Sequence, residues 1–214
     1  MSNNEKLKSI IQDIGIDIFG VTHLHTLSKI PSGINTASKQ LFQQYKSAIV
    51  LGAQLNKIGK KVTGAEVSIY LEKAALEIMS FLEGCGYPSL IIHTEDEFDP
   101  INRIGLLSLK VLAKEAGLGW QGRSLLIVSP EYGPIHRLIA ILTNIPLIAN
   151  RQISNNCNDC SICIDKCPTS ALTLNNFKDH PKYRQDVLDI NLCIGDDGCK
   201  VCLLVCPYNR KSIE

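Results

Sequence analysis

The chain has 214 residues, of which 45% are hydrophobic, with a formal net charge of +1 and nine cysteines; that length accommodates one buried core and a small second module. Scattered basic residues and near-neutral charge argue against a phosphate-tracking surface, and Lys57, Lys60 and Lys61 read as a solvated loop. There is no run of about 18 apolar residues and no N-terminal apolar signal, which predicts no membrane association and a cytoplasmic chain whose thiols stay reduced and open to metal.

Leu7, Ile10, Ile11 and Ile14 recur at helical spacing and stop at Gly15, which predicts a short amphipathic helix over residues 5–14. A β-type run follows from Ile16 to Thr22. His23 and His25 would share one side of an extended segment, as surface histidines or as a metal pair. Residues 27–38, with Pro31 and Gly33, read as a loop. The apolar run Ser47 to Gln54 reads as a strand covered on both faces. Residues 66–83 are the clearest helix, with Val67, Tyr70, Leu71, Ala74, Ala75, Ile78, Phe81 and Leu82 on one stripe ending at Gly84. Cys85, beside that end, reads as a structural free thiol. A strand over 88–93, an acidic loop over 95–100, a helix over 105–116 and two β-rich runs at 125–129 and 138–143 complete the first part.

This order predicts an α+β (α/β layer) domain over residues 1–150, followed by a ferredoxin-like module over 151–214. Eight of the nine cysteines lie in the last 58 residues, in two runs that each end in Cys-Pro. They are Cys157-x2-Cys160-x2-Cys163-x3-Cys167-Pro168 and Cys193-x5-Cys199-x2-Cys202-x3-Cys206-Pro207. The first has the spacing of bacterial dicluster ferredoxins and the second lengthens one gap. Three closely spaced cysteines wrap one [4Fe-4S] cluster while the cysteine before Pro reaches the other. That rule pairs Cys206 with Cys157, Cys160 and Cys163, and Cys167 with Cys193, Cys199 and Cys202. Zinc is the competing reading, but it leaves the third cysteine and the following Pro of each run unexplained.

Gly117, Gly119 and Gly122 match G-x-G-x-x-G, yet a helix precedes them and a strand follows. That is the reverse of a dinucleotide-binding turn, so they are read as a tight helix-to-strand connection. Such glycines let backbone approach a large planar ligand. Arg123 and Arg137 offer fixed cations to a ligand phosphate or carbonyl, or else form internal salt bridges. Trp120, the sole Trp, either stacks on a macrocycle or covers the core.

Several separated motifs carry a family resemblance: KEAGLGWQGR from Lys114 to Arg123, PEYGP from Pro130 to Pro134, His136-Arg137-Leu138, and CKVCLLVCPYN from Cys199 to Asn209. Together with the cysteine runs, from about residue 65 onward, the chain resembles epoxyqueuosine reductases and corrinoid reductive dehalogenases. The resemblance implies a nitroreductase-like domain that holds cobalamin, fed by two [4Fe-4S] clusters. Its pocket is expected at Gly117, Gly119, Trp120, Gly122, Arg123, Tyr132, Gly133 and Arg137. Tyr70 falls where dehalogenase-like sequences place a proton-donating Tyr, though it also lies on an apolar helix stripe. The proton-donor Asp of epoxyqueuosine reductases would register on Arg103, with Asp99 four residues away. The chain ends soon after Cys206, without the helical repeats of longer family members, so tRNA is expected to be an unlikely partner. The expected partners are instead a ferredoxin or flavodoxin electron donor and a small-molecule or corrinoid substrate. The functional expectation is a corrinoid-dependent reductase. The alternatives are a reductase or chaperone of cobalamin or a corrinoid protein, and an electron carrier whose first domain binds flavin (FMN) or serves for docking.

Overall fold

The computed structural model describes residues 2–27, 36–55, 64–93, 99, 105–177, 180–181, 183–195 and 198–212. Lys57, Lys60, Lys61, Arg103 and most of the two loops expected at 27–38 and 95–100 lie outside them. By its internal contacts the chain divides into two units, one of Met1–Leu118 with His136–Gln152, the other of Gly119–Ile135 with Ile153–Glu214.

In the first unit, α1 (Asn3–Ile14) begins at a capping box. The Ser2 hydroxyl accepts from the Glu5 amide and the Glu5 carboxylate accepts from the Ser2 amide, while Gly15 closes the helix at φ 80°. β1 (Ile18–His23) leads into the short α2 (Leu24–Leu27), and α3 (Thr36–Gln44) precedes β2 (Ser47–Gln54). α4 (Gly64–Gly84), β3 (Ser89–Ile92), α5 (Leu109–Glu115) and β6 (His136–Thr143) complete the unit. The helix expected from residue 105 starts only at Leu109, because the Ser108 hydroxyl accepts from the Val111 amide and caps it there.

Four strands make one antiparallel sheet in the order β1-β2-β6-β3. β2 lies inside it and is buried from Ser47 to Ala53. Alternate residues serve opposite faces. Ile49, Leu51, Ala53, Ile139 and Ile141 join α1 and α4 in one core with Leu7, Ile11, Leu71, Ala75, Ile78 and Leu82. On the other face a Cβ at Gly20 would stand 2.0 Å from the Ala116 carbonyl oxygen, so the end of α5 presses directly on β1. Each fully buried Ile or Leu on these faces contributes about 1.5–3 kcal/mol. No helix among the described residues is long and apolar enough to cross a membrane.

The second unit opens with a small hairpin, β4 (Trp120–Gln121) paired antiparallel with β5 (Ile127–Val128). The β-rich run expected at 125–129 supplies only these two strand residues. Its start is the turn itself, with Leu125 at φ 59° and the Leu125 amide donating to the Gly122 carbonyl. The cysteine-bearing segment holds two one-turn helices, α6 (Ile162–Asp165) and α7 (Val201–Leu204), and an antiparallel bridge from Leu172 to Leu188 beside the fully buried Val187.

Candidate metal centre

The eight clustered cysteines are all half-buried, and none of them is in a disulfide. Each run starts with its backbone turning on itself, as in the Cys160 amide donating to the Cys157 carbonyl, and then winds into α6 or α7. The turns bring thiols distant in sequence into mutual electrostatic range. Burial pushes the Cys163 thiol up to about 12, and the charges of Cys157, Cys160, Cys202 and Cys206 push the same way. Burial also raises Cys206, which the Tyr208 backbone N–H opposes and Cys157 and Cys160 reinforce. Cys202 is raised by burial first, then by Cys199 and Cys193, and more weakly by Cys167.

Two sets emerge from these couplings: Cys157, Cys160, Cys163 and Cys206, and Cys167, Cys193, Cys199 and Cys202. Cys163 feels Cys202 as well, so the sets adjoin. Cys167 differs, because its burial is outweighed by the backbone N–H groups of Thr169, Leu172 and Ala171 and by the Thr169 hydroxyl, which lower its pKa. Among the described residues no group of three or more His, Cys, Asp or Glu is arranged to hold a metal ion by itself. Thiolates that repel one another at close quarters need a cationic core, and an iron-sulfur core fits that donor chemistry.

The hairpin is built onto the first set. The Trp120 indole N–H donates to Cys157 Sγ at 3.4 Å, and its ring meets Tyr208 edge-on with centroids 4.7 Å apart. A Cβ at Gly122 would come within 3.5 Å of Cys157 Sγ and within 2.9 Å of a Val128 methyl. The Arg123 guanidinium donates to the Asn158 carbonyl, and the Asn155 amide donates to the Gln121 carbonyl at 3.0 Å. The Gln121 side chain meets His180 Nδ1 at 2.6 Å. Gly133, at φ 60°, leaves space that a Cβ would fill against Asn209.

These contacts revise the domain expectation in one respect. Residues 119–135 were expected with the first domain, but they group with the cysteines because Trp120, Gly122, Arg123 and Gly133 all pack there.

The remaining site residues are placed as follows. Gly117 (φ 72°) would meet the Arg151 carbonyl oxygen at 2.3 Å with a Cβ, and Gly119 would meet that of Val128 at 2.2 Å. The close approaches at these glycines are therefore filled by the chain itself. Tyr132 follows Ser129, whose hydroxyl accepts from the Tyr132 amide at 3.4 Å. The Arg137 guanidinium lies against Gly64 at the start of α4, 2.5 Å from where a Cβ would stand. The Tyr70 hydroxyl donates to the carbonyls of Ile14 and Gly15, at 3.1 and 2.9 Å, and so closes the C-terminus of α1. His23 stacks on His25 with ring centroids 5.7 Å apart and meets the Ser47 hydroxyl. Cys85 is exposed. Sequence reasoning missed Gln121, Asn158 and His180, whose contacts join segments 34 or more residues apart and leave no local periodicity. Tyr208 and Asn209 stood in the sequence only as the end of the motif from Cys199 to Asn209, with no role of their own.

Residues 156–210 match the 4Fe-4S dicluster domain family. The second unit is accordingly a ferredoxin-like iron-sulfur module built for electron transfer. Among curated proteins the chain is similar to epoxyqueuosine reductases. That of Listeria monocytogenes is 36% identical over 117 residues, covering 50% of this chain and 31% of the relative. That of Aliivibrio fischeri is 28% identical over 192 residues, covering 85% and 47%. The chain thus spans less than half of these relatives' length, 31% and 47% of it. Among solved structures, an epoxyqueuosine reductase with an epoxyqueuosine-modified tRNA-Tyr stem loop aligns at TM-score 0.69 and 19% identity, over 96% of this chain and 65% of that one. A reductive dehalogenase described as supporting B12-dependent dehalogenation aligns at 0.67 and 18%, over 96% and 31%. At such identities the likeness is one of fold, and it supports the expected α+β class with its appended dicluster module. The expectation that tRNA is an unlikely partner is corrected. It rested on where the chain ends, whereas a structurally similar epoxyqueuosine reductase was solved with an epoxyqueuosine-modified tRNA stem loop.

Proposed function

We propose that this chain is an iron-sulfur oxidoreductase of the epoxyqueuosine reductase type, passing electrons through two [4Fe-4S] clusters toward a modified base carried on tRNA. One cluster sits on Cys157, Cys160, Cys163 and Cys206, the other on Cys167, Cys193, Cys199 and Cys202. The reading is supported by the match of residues 156–210 to the 4Fe-4S dicluster family, and by couplings that set Cys206 with Cys157 and Cys160, and Cys167 with Cys202. Each set draws its fourth member from the opposite run, as the spacing rule requires. The tRNA-borne substrate enters from the relatives' name and from the neighbour solved with a tRNA stem loop.

A corrinoid is the acceptor suggested by the dehalogenase fold; when bound, it supplies a strongly reducing cobalt centre. The residues nominated to hold it do not fit that task as a set. Trp120 and Arg123 are engaged with Cys157 and Asn158, and Gly117, Gly119, Gly122 and Gly133 are crowded by protein atoms.

Anaerobically reconstituted protein tests the reading. It should hold about eight irons and eight acid-labile sulfides. Cys206→Ser should alter the electron paramagnetic resonance signal that Cys157→Ser also alters, and spare the signal altered by Cys193→Ser. Zinc in place of iron, or Cys206→Ser acting on the Cys193 signal, would overturn the assignment. Reduced protein that leaves an epoxyqueuosine-bearing tRNA stem loop unchanged would overturn the substrate.

A further inference from the structure

An indole N–H buried away from water must find an acceptor, or leaving it unpaired costs about 1–3 kcal/mol. Trp120 is 1% exposed, and its N–H is aimed at a sulfur, Cys157 Sγ, 3.4 Å away. The side chain is held on both sides. Its backbone pairs with Val128 in the hairpin, and its ring is met edge-on by Tyr208, two residues beyond Cys206. Gly119 and Gly122 permit the close fit, since a Cβ at either would strike Val128. Trp120 is thus locked between the first and last cysteines of one thiol set, while in the other set Cys167 Sγ meets the Thr169 hydroxyl at 3.8 Å.

The geometry points to Trp120 as the residue that sets the reduction potential of one cluster and not the other. The inference rests on the proposed assignment of Cys157 as a cluster ligand. Reduction adds one electron to the cluster, and part of that charge falls on the ligand sulfurs. A hydrogen bond to sulfur strengthens as the sulfur gains charge, so the N–H favours the reduced state and raises the potential. Trp120 is a positioning residue in this account.

The test is a redox titration of the reconstituted protein followed by electron paramagnetic resonance, with the two signals assigned beforehand by Cys157→Ser and Cys193→Ser. Trp120→Phe keeps a buried ring and removes the N–H. It should shift the one-electron equilibrium of the Cys157 cluster about threefold to tenfold toward oxidation, a fall of about 30–60 mV, and leave the other midpoint unchanged. Because Trp120 is the only Trp, growth on 5-fluorotryptophan labels this site alone. The more acidic N–H should move the same midpoint upward without loss of shape, which guards against a merely misfolded Phe variant. Unchanged midpoints in both samples, or equal shifts at both clusters, would overturn the inference. A protein with no iron, or with signals that fail the cysteine assignments, would instead overturn the proposed function.

Discussion

Gly119→Ala is the most searching perturbation of the second unit, because a single methyl would be placed where only backbone surrounds it. That Cβ would stand 2.2 Å from the Val128 carbonyl oxygen, 2.7 Å from its carbon and 3.0 Å from the Ser129 nitrogen. Ordinary contact is about 3.5 Å, so the hairpin must open by about 1.3 Å. Backbone atoms cannot rotate aside as a side chain can. Overpacking typically costs 1–3 kcal/mol, and this site belongs at the upper end, about 3 kcal/mol. For a chain of this size that lowers Tm by about 6–12 °C. The matched control is Gly84→Ala, where nothing lies within 4 Å of the added Cβ. It ends a helix and should be neutral or stabilising by up to about 1 kcal/mol. Anaerobic calorimetry of the iron-loaded proteins measures both. Because Gly119 precedes the Trp that contacts Cys157, its variant should also lose iron faster. A Gly119→Ala protein melting within about 2 °C of wild type, or a Gly84→Ala protein falling as far, would refute the packing argument.

Other outcomes follow from single contacts. Tyr70→Phe removes the hydroxyl that closes α1 and should cost about 1 kcal/mol by thermal melting, with iron content and cluster midpoints unchanged. Lys114 and Glu115 form a buried pair at 3.3 Å, with Gln152 accepting from Lys114 as well. Lys114→Met should therefore cost about 3 kcal/mol in the same assay, since it removes the cation beside a buried carboxylate to which the Gln152 amide also donates. In protein stripped of iron, iodoacetamide at pH 8 should label Cys167 before Cys163, Cys202 and Cys206, read by mass spectrometry. The thiolate is the reactive form, and its fraction is larger where the pKa is lowered and smaller where it is raised. The sign for stability runs the other way with pH. The folded Cys163 pKa of about 12 lies above the ordinary 9.0, so its contribution to the stripped fold is complete below pH 9 and is lost as pH rises through about 12. The urea midpoint of stripped protein should accordingly fall between pH 8 and pH 10. A midpoint that rises would contradict the burial of these thiols.

Local chemistry was legible in the chain from the start. The apolar stripes of α1 and α4, the glycine stop at Gly15 and the buried strand β2 were readable because periodicity of 3.6 or 2 is a property of neighbours in sequence. The cysteine runs were readable for a similar reason, since a cluster demands thiols at short fixed intervals. What the glycines of the 117–122 turn are for was not readable. Backbone that can approach a ligand closely can equally approach its own chain, and only the fold shows that Val128 and Arg151 fill those spaces. Tyr70 carried a similar ambiguity, and nothing in the sequence signalled that its hydroxyl meets the carbonyls of Ile14 and Gly15, more than 50 residues away. Trp120 could have faced a macrocycle or the core. Instead its N–H finds a sulfur 37 residues on, a partner that no local pattern encodes and that only tertiary packing brings within reach.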